Sequence, residues 1–255
     1  MIVAQSIHEL ELPRHGVVGL VPTMGALHAG HTALLRAARA DCDVLVASVF
    51  VNPVQFSDGI DLAAYPRDFE RDAALAEAEG VDVIFAPAAE EMYPPGFATW
   101  VVPEGAAEGL ESLHRPGHFR GVATICLKLF NIVSPQIAWF GQKDAQQVAV
   151  LKQLVRDLNI SVEIRVVDTV RDVDGLALSS RNSRLSAEER ERARAIPRAL
   201  ETRDEAQARA VLESAGVEPD YVAVADLNGP TLAIAARVGK TRLIDNVPLR
   251  EGATP

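Results

Sequence analysis

Short apolar segments alternate with amphipathic segments along most of the chain. The apolar runs are four to eight residues long and predict β-strands at Gly16–Val21, Val44–Val51, Val81–Phe85, Ile137–Phe140 and Val162–Val167. Segments with helical spacing predict α-helices at Thr32–Ala40, Phe69–Glu79, Val122–Val133 and Ala145–Leu158. The run Val44–Val51 is almost unbroken in apolar residues, which is typical of a strand covered on both faces. Strands that alternate with helices predict an α/β fold with a mostly parallel sheet.

The pattern changes after residue 170. The segment Ser186–Glu189 is a capping box that predicts the start of a helix. Shorter predicted strands follow at Tyr221–Ala225 and Thr241–Ile244. We therefore expect two domains, a large α/β domain at 1–170 and a smaller α+β domain at 171–255.

Composition narrows the functional classes. Apolar residues make up 48% of the 255 residues and charged residues 24%, which predicts a soluble packed core. No apolar run is long enough for a membrane helix. The N-terminal residues do not show the basic segment followed by an apolar run that is typical of a secretory signal. Cys42 and Cys126 lie far apart, so we expect buried thiols in a reducing cytoplasm. The net charge of −10 argues against nucleic-acid binding, so anionic substrates need local positive groups.

The segment Pro22–His31 is the strongest candidate for chemistry. It follows a predicted strand, contains two glycines and two histidines, and precedes a predicted helix. The unpaired N–H groups of a first helical turn suit a phosphate, and His28 and His31 add donors that can neutralise charge on a triphosphate. The alternative interpretation is a helix N-terminus with a coincidental histidine pair.

Polar residues also follow the other predicted strands, and the ends of parallel strands converge on one rim of a sheet. Lys143 and Arg181 can hold phosphates, and Ser179 and Ser180 supply donors beside Arg181. Gln55 and Gln147 are neutral and can hydrogen-bond to hydroxyl and carboxylate groups of a substrate. Asp144 can bind a ribose hydroxyl or pair with Lys143. Arg115 lies in a predicted loop and can bind a carboxylate. Alternatively, these loops are polar only because they are exposed. P-loop, dinucleotide-binding and zinc motifs are missing from the sequence.

Together these segments resemble the pantoate–β-alanine ligase (pantothenate synthetase) family, part of the HxGH nucleotidylyltransferase-like superfamily. The matching motifs appear in the family order and are Pro22–His31, Phe50–Phe56, Tyr65–Arg67, Met92–Pro94, His118–Val122, Gly141–Gln147, Leu178–Asn182 and Arg242–Asn246. The resemblance implies a Rossmann-like parallel sheet that binds the nucleotide, pantoate and β-alanine, with a smaller α+β C-terminal domain that covers the active site. It also implies that ATP adenylates pantoate, that β-alanine then displaces AMP, and that the enzyme is a cytoplasmic homodimer that uses Mg²⁺.

The resemblance also assigns roles to residues. Catalysis is expected from His28, His31, Lys143, Ser179, Ser180 and Arg181, with His31 as a proton donor. ATP is expected to contact Pro22, Met24, Gly25, Ala26, Leu27, His28, Ala29, Gly30, His31, Gly141, Gln142, Lys143, Asp144, Val170, Leu178, Ser179, Ser180 and Arg181. Pantoate and β-alanine are expected at Met24, Asn52, Gln55, Phe56, Tyr65, Arg115 and Gln147. Relatives often have two adjacent acids near the metal, but here Arg71 precedes Asp72, which leaves Asp72 as the carried-over candidate for Mg²⁺.

Two alternatives remain open. A nucleotidylyltransferase acting on a phosphorylated substrate would need more basic residues where Gln55 and Gln147 stand. A non-catalytic nucleotide sensor would be expected to have lost His31, Lys143 or the Ser179–Arg181 triplet, and all of these are present.

Overall fold

A computed structural model describes residues 1–12, 15–56 and 59–249 of the chain. The strands are β1 (Ile2–Ala4), β2 (Val18–Thr23), β3 (Val44–Val49), β4 (Val83–Phe85), β5 (Ile137–Gly141), β6 (Glu163–Val167), β7 (Glu218–Asp226), β8 (Pro230–Val238) and β9 (Thr241–Pro248). The helices are α1 (Ala29–Asp41), α2 (Gly59–Ala63), α3 (Phe69–Ala78), α4 (Ala89–Met92), α5 (Glu111–His114), α6 (His118–Val133), α7 (Ala145–Asp157), α8 (Ala187–Ala193), α9 (Ala195–Glu201) and α10 (Glu205–Ser214). None of these helices is long and apolar enough to cross a membrane.

The chain divides into two compact units. The first comprises Met1–Gly141 and Gln147–Val167, and the second comprises Gln142–Gln146 and Asp168–Pro255. The short segment Gln142–Gln146 therefore belongs with the C-terminal residues although it lies between β5 and most of α7 in sequence. The predicted division at residue 170 remains a prediction.

The first unit contains a six-stranded parallel sheet in the order β1-β4-β3-β2-β5-β6, which confirms the predicted α/β class. Strand order reverses at β2, because β3 lies on one side of it and β5, which follows much later in the chain, lies on the other. β2 pairs with β3 over six residues but with β5 only at Gly19 and Leu20. The carboxyl end of β2 is thus unpaired on the β5 side, at the switch point where ligands bind in open α/β sheets.

Both faces of this sheet are buried. Leu45 and Trp139 pack in the cluster on one face, whereas their neighbours Val46 and Phe140 pack in the cluster on the other. This alternation is the period of two expected for strands, and burial on both faces explains the continuous apolar runs in the sequence.

Some element boundaries differ from those predicted. β2 continues through Pro22 to Thr23, whereas the sequence favoured an end at Val21. The carbonyl of Val18 accepts the N–H of Gln136 on the β5 side, and alternation places the backbone of Pro22 on that same side. Pairing with β5 has ended at Leu20, so the missing N–H of Pro22 breaks no ladder bond.

The helices α1 and α6 both begin earlier than predicted. α1 begins at Ala29 rather than Thr32, because the His28 side chain caps the helix. α6 begins at His118 rather than Val122, after a left-handed Gly117. The added first turns of both helices carry candidate functional residues. These residues are polar and interrupt the apolar pattern from which the helices were predicted, so the predicted helices begin too late.

The second unit contains a three-stranded antiparallel sheet in the order β7-β8-β9, with α9 and α10 packed against it around Ile196, Leu212 and Ile234. The central strand β8 was missed in the sequence because it is alanine-rich and almost wholly buried, so it lacks an alternating pattern. A small hairpin precedes this sheet and pairs Val170 with Leu178 through the hydrogen bond from the Leu178 N–H to the Val170 carbonyl.

Candidate active-site residues

The two histidines of the first unit form a reciprocal cap on α1. His28 is the N-cap residue, and its Nδ1 accepts the N–H of Gly30 at 3.1 Å. His31, in the first turn, accepts the N–H of His28 on its own Nδ1 at 3.2 Å. The two rings lie 4.2 Å apart between centroids. Each imidazole is therefore held in place by the backbone of the turn that carries it.

This arrangement assigns the tautomer of both rings. A backbone N–H can only donate, so the Nδ1 atoms of His28 and His31 must be unprotonated acceptors. In the neutral ring the proton is then on Nε2. The first turn of α1 thus carries two oriented imidazole N–H donors at the end of the helix that attracts anions.

A buried carboxylate supports the loop that leads into this helix. Gly25 and Ala26 both have left-handed backbones, with φ angles of 77° and 52°. Asp72, in the first turn of α3, accepts the N–H of Ala26 on Oδ2 at 2.8 Å and the N–H of Leu27 on Oδ1 at 2.7 Å. A Cβ at Gly25 would lie 2.9 Å from that Oδ2, so glycine is required for this close approach.

These contacts give Asp72 a role that the sequence did not indicate. Its side chain is 2% exposed, and both of its oxygens are engaged with the loop between β2 and α1. Arg71 beside it is exposed. Among residues 1–12, 15–56 and 59–249, no group of three or more His, Cys, Asp or Glu side chains could hold a metal ion. The assignment of Asp72 to Mg²⁺ remains a prediction.

Gln55 lies in a short 3₁₀ turn, Pro53–Gln55, that follows β3. It is held by Asn52, whose Nδ2 donates to Gln55 Oε1 at 2.9 Å and to the carbonyl of Gly121 at 3.2 Å. Because that carbonyl can only accept, the Asn52 atom facing it must be the nitrogen. Asn52 Oδ1 then faces Tyr93, whose hydroxyl donates to it at 2.9 Å.

This chain of hydrogen bonds fixes which end of Gln55 is available to a ligand. Oε1 is used by Asn52, so Nε2 points the other way and lies 2.9 Å from the sulfur of Met24. A thioether is a weak acceptor, which leaves Gln55 with amide hydrogens for a stronger acceptor. The side chain is therefore a donor suited to a hydroxyl or carboxylate oxygen.

The backbone of Gln55 is held by α6. His118 Nδ1 lies 3.0 Å from the Gln55 carbonyl, and Arg115 Nη1 lies 3.1 Å from His118 Nε2. A Cβ at Gly121 would lie 2.8 Å from the carbonyl of Val54, so only glycine allows this helix to approach so closely. Arg115, predicted in a loop, thus lies between α5 and α6, close to Glu111 at 3.6 Å.

The other predicted substrate residues of the first unit lie outside the hydrogen bonds that join Met24, Asn52 and Gln55. Tyr65 is buried and its ring meets that of Phe56 edge-on at 5.6 Å between centroids. Gln147 is half-buried in the first turn of α7. The structure therefore joins Met24, Asn52 and Gln55 in one hydrogen-bonded network, and the hydrogen bonds of that network do not include Gln147.

The second unit holds the remaining candidates. The 3₁₀ turn Gln142–Asp144 carries Lys143, whose Nζ lies 3.6 Å from Asp144 Oδ1, so the pairing considered from the sequence is present. Ser179 caps the next 3₁₀ segment by accepting the N–H of Arg181 on its hydroxyl. Val170 and Leu178 are neighbours in the small hairpin described above.

Sequence reasoning missed Tyr93 and Asn246 as contributors to these arrangements. Both lie in segments that the resemblance had marked, Met92–Pro94 and Arg242–Asn246, but their residue types suggested no direct chemistry. Their partners Asn52 and Gln142 lie 41 and 104 residues away, so only the folded chain reveals them.

A six-stranded parallel sheet, with histidine donors at the helix that follows its switch-point strand, defines the class of nucleotide-binding α/β proteins. The sequence model of the family described as pantoate-β-alanine ligase matches residues 3–248. The chain therefore belongs to this family.

Individual relatives agree with this assignment. A pantothenate synthetase from Chloroflexus aurantiacus is 52% identical in an alignment that covers 90% of this chain and 91% of the relative. The crystal structure of a pantothenate synthetase from Thermus thermophilus has 46% identity and a TM-score of 0.91, covering 98% of this chain and 99% of that one. A Francisella tularensis pantoate-β-alanine ligase, solved with β-γ ATP and β-alanine, has 36% identity and a TM-score of 0.90 over the full length of both chains.

Proposed function

We propose that this protein joins pantoate to β-alanine in two steps, with ATP as the activating substrate. In the first step a pantoate carboxylate oxygen attacks the α-phosphorus of ATP, the bond to pyrophosphate breaks, and pantoyl adenylate forms. In the second step the β-alanine amine attacks the acyl carbon, the bond to AMP breaks, and the nitrogen loses a proton as pantothenate forms. The observation that carries this proposal is the locked pair of imidazole donors at α1 in a chain of this family.

Charge accumulates on the phosphates during the first step. His28 and His31 hold Nε2–H donors in fixed positions, so they stabilise this charge without reorganising, and His31 serves as the proton donor. The loop from Pro22 to Leu27, supported by Asp72, supplies backbone contacts to the nucleotide. The backbone amide of Ala29, at the start of the helix, adds to the attraction for an anion.

Further cations and donors for ATP are proposed within residues 141–144 and 170–181. Lys143 and Arg181 bind phosphate oxygens, and Ser179 and Ser180 donate from the segment that begins with the Ser179 cap. Gly141, Gln142 and Asp144, together with Val170 and Leu178, are the remaining proposed nucleotide contacts.

The acid substrate is proposed to bind through neutral groups. Gln55 donates from Nε2 to a pantoate oxygen, Gln147 adds a second amide, and Met24 packs against the pantoate methyl groups. Asn52 holds Gln55 in this orientation, and Phe56 and Tyr65 line the same region. Arg115 remains the proposed partner for a substrate carboxylate, although its contact with His118 also gives it a structural role.

Mg²⁺ is proposed to accompany ATP and to neutralise part of the phosphate charge. This ion usually keeps few protein ligands, so the phosphate oxygens would hold it, and Asp72 is the one carboxylate that the resemblance assigns to it. We further propose a cytoplasmic homodimer, for which light scattering of the purified protein is the direct test.

The experiment that tests the proposal measures AMP release with ATP, Mg²⁺, pantoate and β-alanine, omitting one substrate at a time. AMP that appears with pantothenate only in the complete mixture is the expected result. Exchange of labelled pyrophosphate into ATP, with pantoate but no β-alanine, tests the adenylate. Turnover of a phosphorylated acceptor instead would favour a nucleotidylyltransferase, and ATP binding without turnover would favour a sensor.

A further inference from the structure

Asn246, near the carboxyl end of β9, makes hydrogen bonds from both ends of its side-chain amide to a single turn. Its Nδ2 donates to the carbonyl of Gln142 at 2.9 Å and to the carbonyl of Lys143 at 3.0 Å. Its Oδ1 accepts from Gln142 Nε2 at 3.1 Å. The side chain is 5% exposed, so these bonds do not compete with water. All of these atoms belong to the second unit.

The orientation of this amide is fixed by its partners. Two carbonyl oxygens face one atom of Asn246, and carbonyls only accept, so that atom must be the nitrogen. Both of its hydrogens are then used. An aspartate at this position would place a charged oxygen against two carbonyl oxygens, which is repulsive, although its shape is almost the same as that of asparagine.

The residue before Asn246 secures the backbone from which this side chain extends. Asp245 is buried, and its Oδ1 accepts the N–H of Asn246 at 2.8 Å. Arg171 donates to both oxygens of Asp245, at 2.6 and 3.1 Å, and to the carbonyl of Gly175 at 3.0 Å. Burial raises the pKa of Asp245, while the guanidinium of Arg171 acts against this rise. The ion pair thus joins β9 to the hairpin that carries Val170.

We propose that Asn246 is a positioning residue that sets the location of the Lys143 ammonium by holding the backbone of the turn Gln142–Asp144. This inference rests on the proposed function, because it takes Lys143 as a ligand of the ATP phosphates. A lysine side chain has a flexible stem of four carbon atoms, so a fixed backbone at Lys143 limits the positions that its ammonium can reach. Small displacements of such a group are costly, since misplacement by 1 Å can lower a rate by about a hundredfold.

The test compares Asn246→Ala and Asn246→Asp with Thr231→Val. Thr231 lies on β8 of the same sheet, is buried, and donates to the carbonyl of Gly229 at 3.0 Å, so its replacement controls for loss of a buried hydrogen bond. ATP affinity is measured by calorimetry, pantoate KM and kcat by AMP release, and folding by circular dichroism. We expect both Asn246 variants to weaken ATP affinity at least about tenfold with pantoate KM changed less than about twofold. Thr231→Val should leave ATP affinity unchanged.

A double-mutant cycle separates positioning from general destabilisation. If Asn246 acts through Lys143, then Asn246→Ala should add less than about a twofold loss of ATP affinity to Lys143→Met. Fully additive losses, or unchanged ATP affinity in Asn246→Ala, would overturn the inference. Should Asn246→Ala not fold, Asn246→Ser, which donates to one carbonyl only, takes its place in the cycle.

The same cycle distinguishes this inference from the proposed function. If Lys143→Met binds ATP normally and the complete mixture still yields pantothenate, the role of Lys143 is wrong, and the inference about Asn246 fails with it. If Lys143→Met loses ATP affinity but Asn246→Ala does not, the inference alone fails. Loss of ATP affinity in both variants, without additivity in the double variant, supports both the proposed role of Lys143 and the inference about Asn246.

Discussion

The carboxylate of Asp72 accepts the backbone N–H of Leu27 at 2.7 Å, across 45 residues of sequence. Its second oxygen accepts the N–H of Ala26, a residue of the same loop that has a left-handed backbone although it is not glycine. A non-glycine residue in this conformation is held there by its surroundings, at a cost of about 1–3 kcal/mol. Asp72 therefore stabilises the strained loop that leads into the histidine cap of α1.

Replacing this carboxylate should disturb nucleotide binding. Asp72→Asn places an NH₂ group opposite one of two backbone donors, so one hydrogen bond to a charged group, worth about 1.5–3 kcal/mol, becomes a repulsion. We expect kcat/KM for ATP to fall at least about tenfold. The measurement is steady-state AMP release at varied ATP, with Arg71→Ala as the matched control because Arg71 is adjacent and exposed. An Asp72→Asn enzyme with the kinetics of the Arg71→Ala control would contradict this role.

The capping and catalytic contributions of His28 can be separated by two substitutions. Asparagine is a good N-cap residue, so His28→Asn should keep the stability of α1 while removing the imidazole donor. His28→Ala should lose both, with a drop of about 1 kcal/mol in the free energy of unfolding. Urea unfolding and AMP release are measured for each variant. Wild-type rates in His28→Asn would show that the ring acts only as a cap.

His31 should matter more for rate than for stability. Removal of one preorganised donor to developing charge typically lowers kcat by about 10²–10³, and we expect this loss in His31→Ala. The loss should be equal in the pyrophosphate exchange reaction, because the adenylation step carries the effect. Activity retained within about threefold would rule out the proposed role of His31.

Tyr93→Phe should raise the KM for pantoate, although Tyr93 is not proposed to contact pantoate. The change removes the hydroxyl that donates to Asn52 Oδ1, and so frees the amide of Asn52 to reorient away from Gln55. Burial raises the pKa of Tyr93, so the hydroxyl remains protonated across the working pH range. We expect pantoate KM to rise about three- to tenfold with ATP KM unchanged. Gln55→Ala should itself weaken the binding of pantoate. In that background, Tyr93→Phe is expected to change the pantoate KM little further. Equal increases in both KM values would count against this route.

Cys126 should be unreactive in the folded protein. Burial raises the pKa of its thiol to about 12, and the thiolate is the reactive form. At pH 8 only about one thiol in ten thousand is then ionised. Titration with a disulfide reagent should modify Cys126 only after guanidinium is added, whereas Cys42, half-buried and with a pKa raised less by burial, should react slowly before it. Rapid modification of both thiols in native protein would contradict this expectation.

The sequence determined the class of fold and the location of its main chemical group. Alternation of buried strands with amphipathic helices specifies a parallel sheet, because continuous apolar runs are stable only when both faces are covered. The pair His28 and His31 was identifiable for a related reason, since helix caps and first-turn donors are local features whose partners lie within a few residues. Lys143 and the Ser179–Arg181 triplet were likewise visible as short polar runs after predicted elements.

Only the tertiary structure decided how these groups are held. Asp72, Tyr93 and Asn246 act through hydrogen bonds to residues 46, 41 and 104 positions away, and nothing in their local sequence indicates the partner. Asp72 illustrates the limit, because the resemblance assigned it to Mg²⁺, whereas its hydrogen bonds to backbone amides are visible only in the folded chain. Hydrophobic periodicity is a property of neighbouring residues and can be read from the chain, whereas the orientation of a buried polar side chain depends on which donors and acceptors packing brings to it.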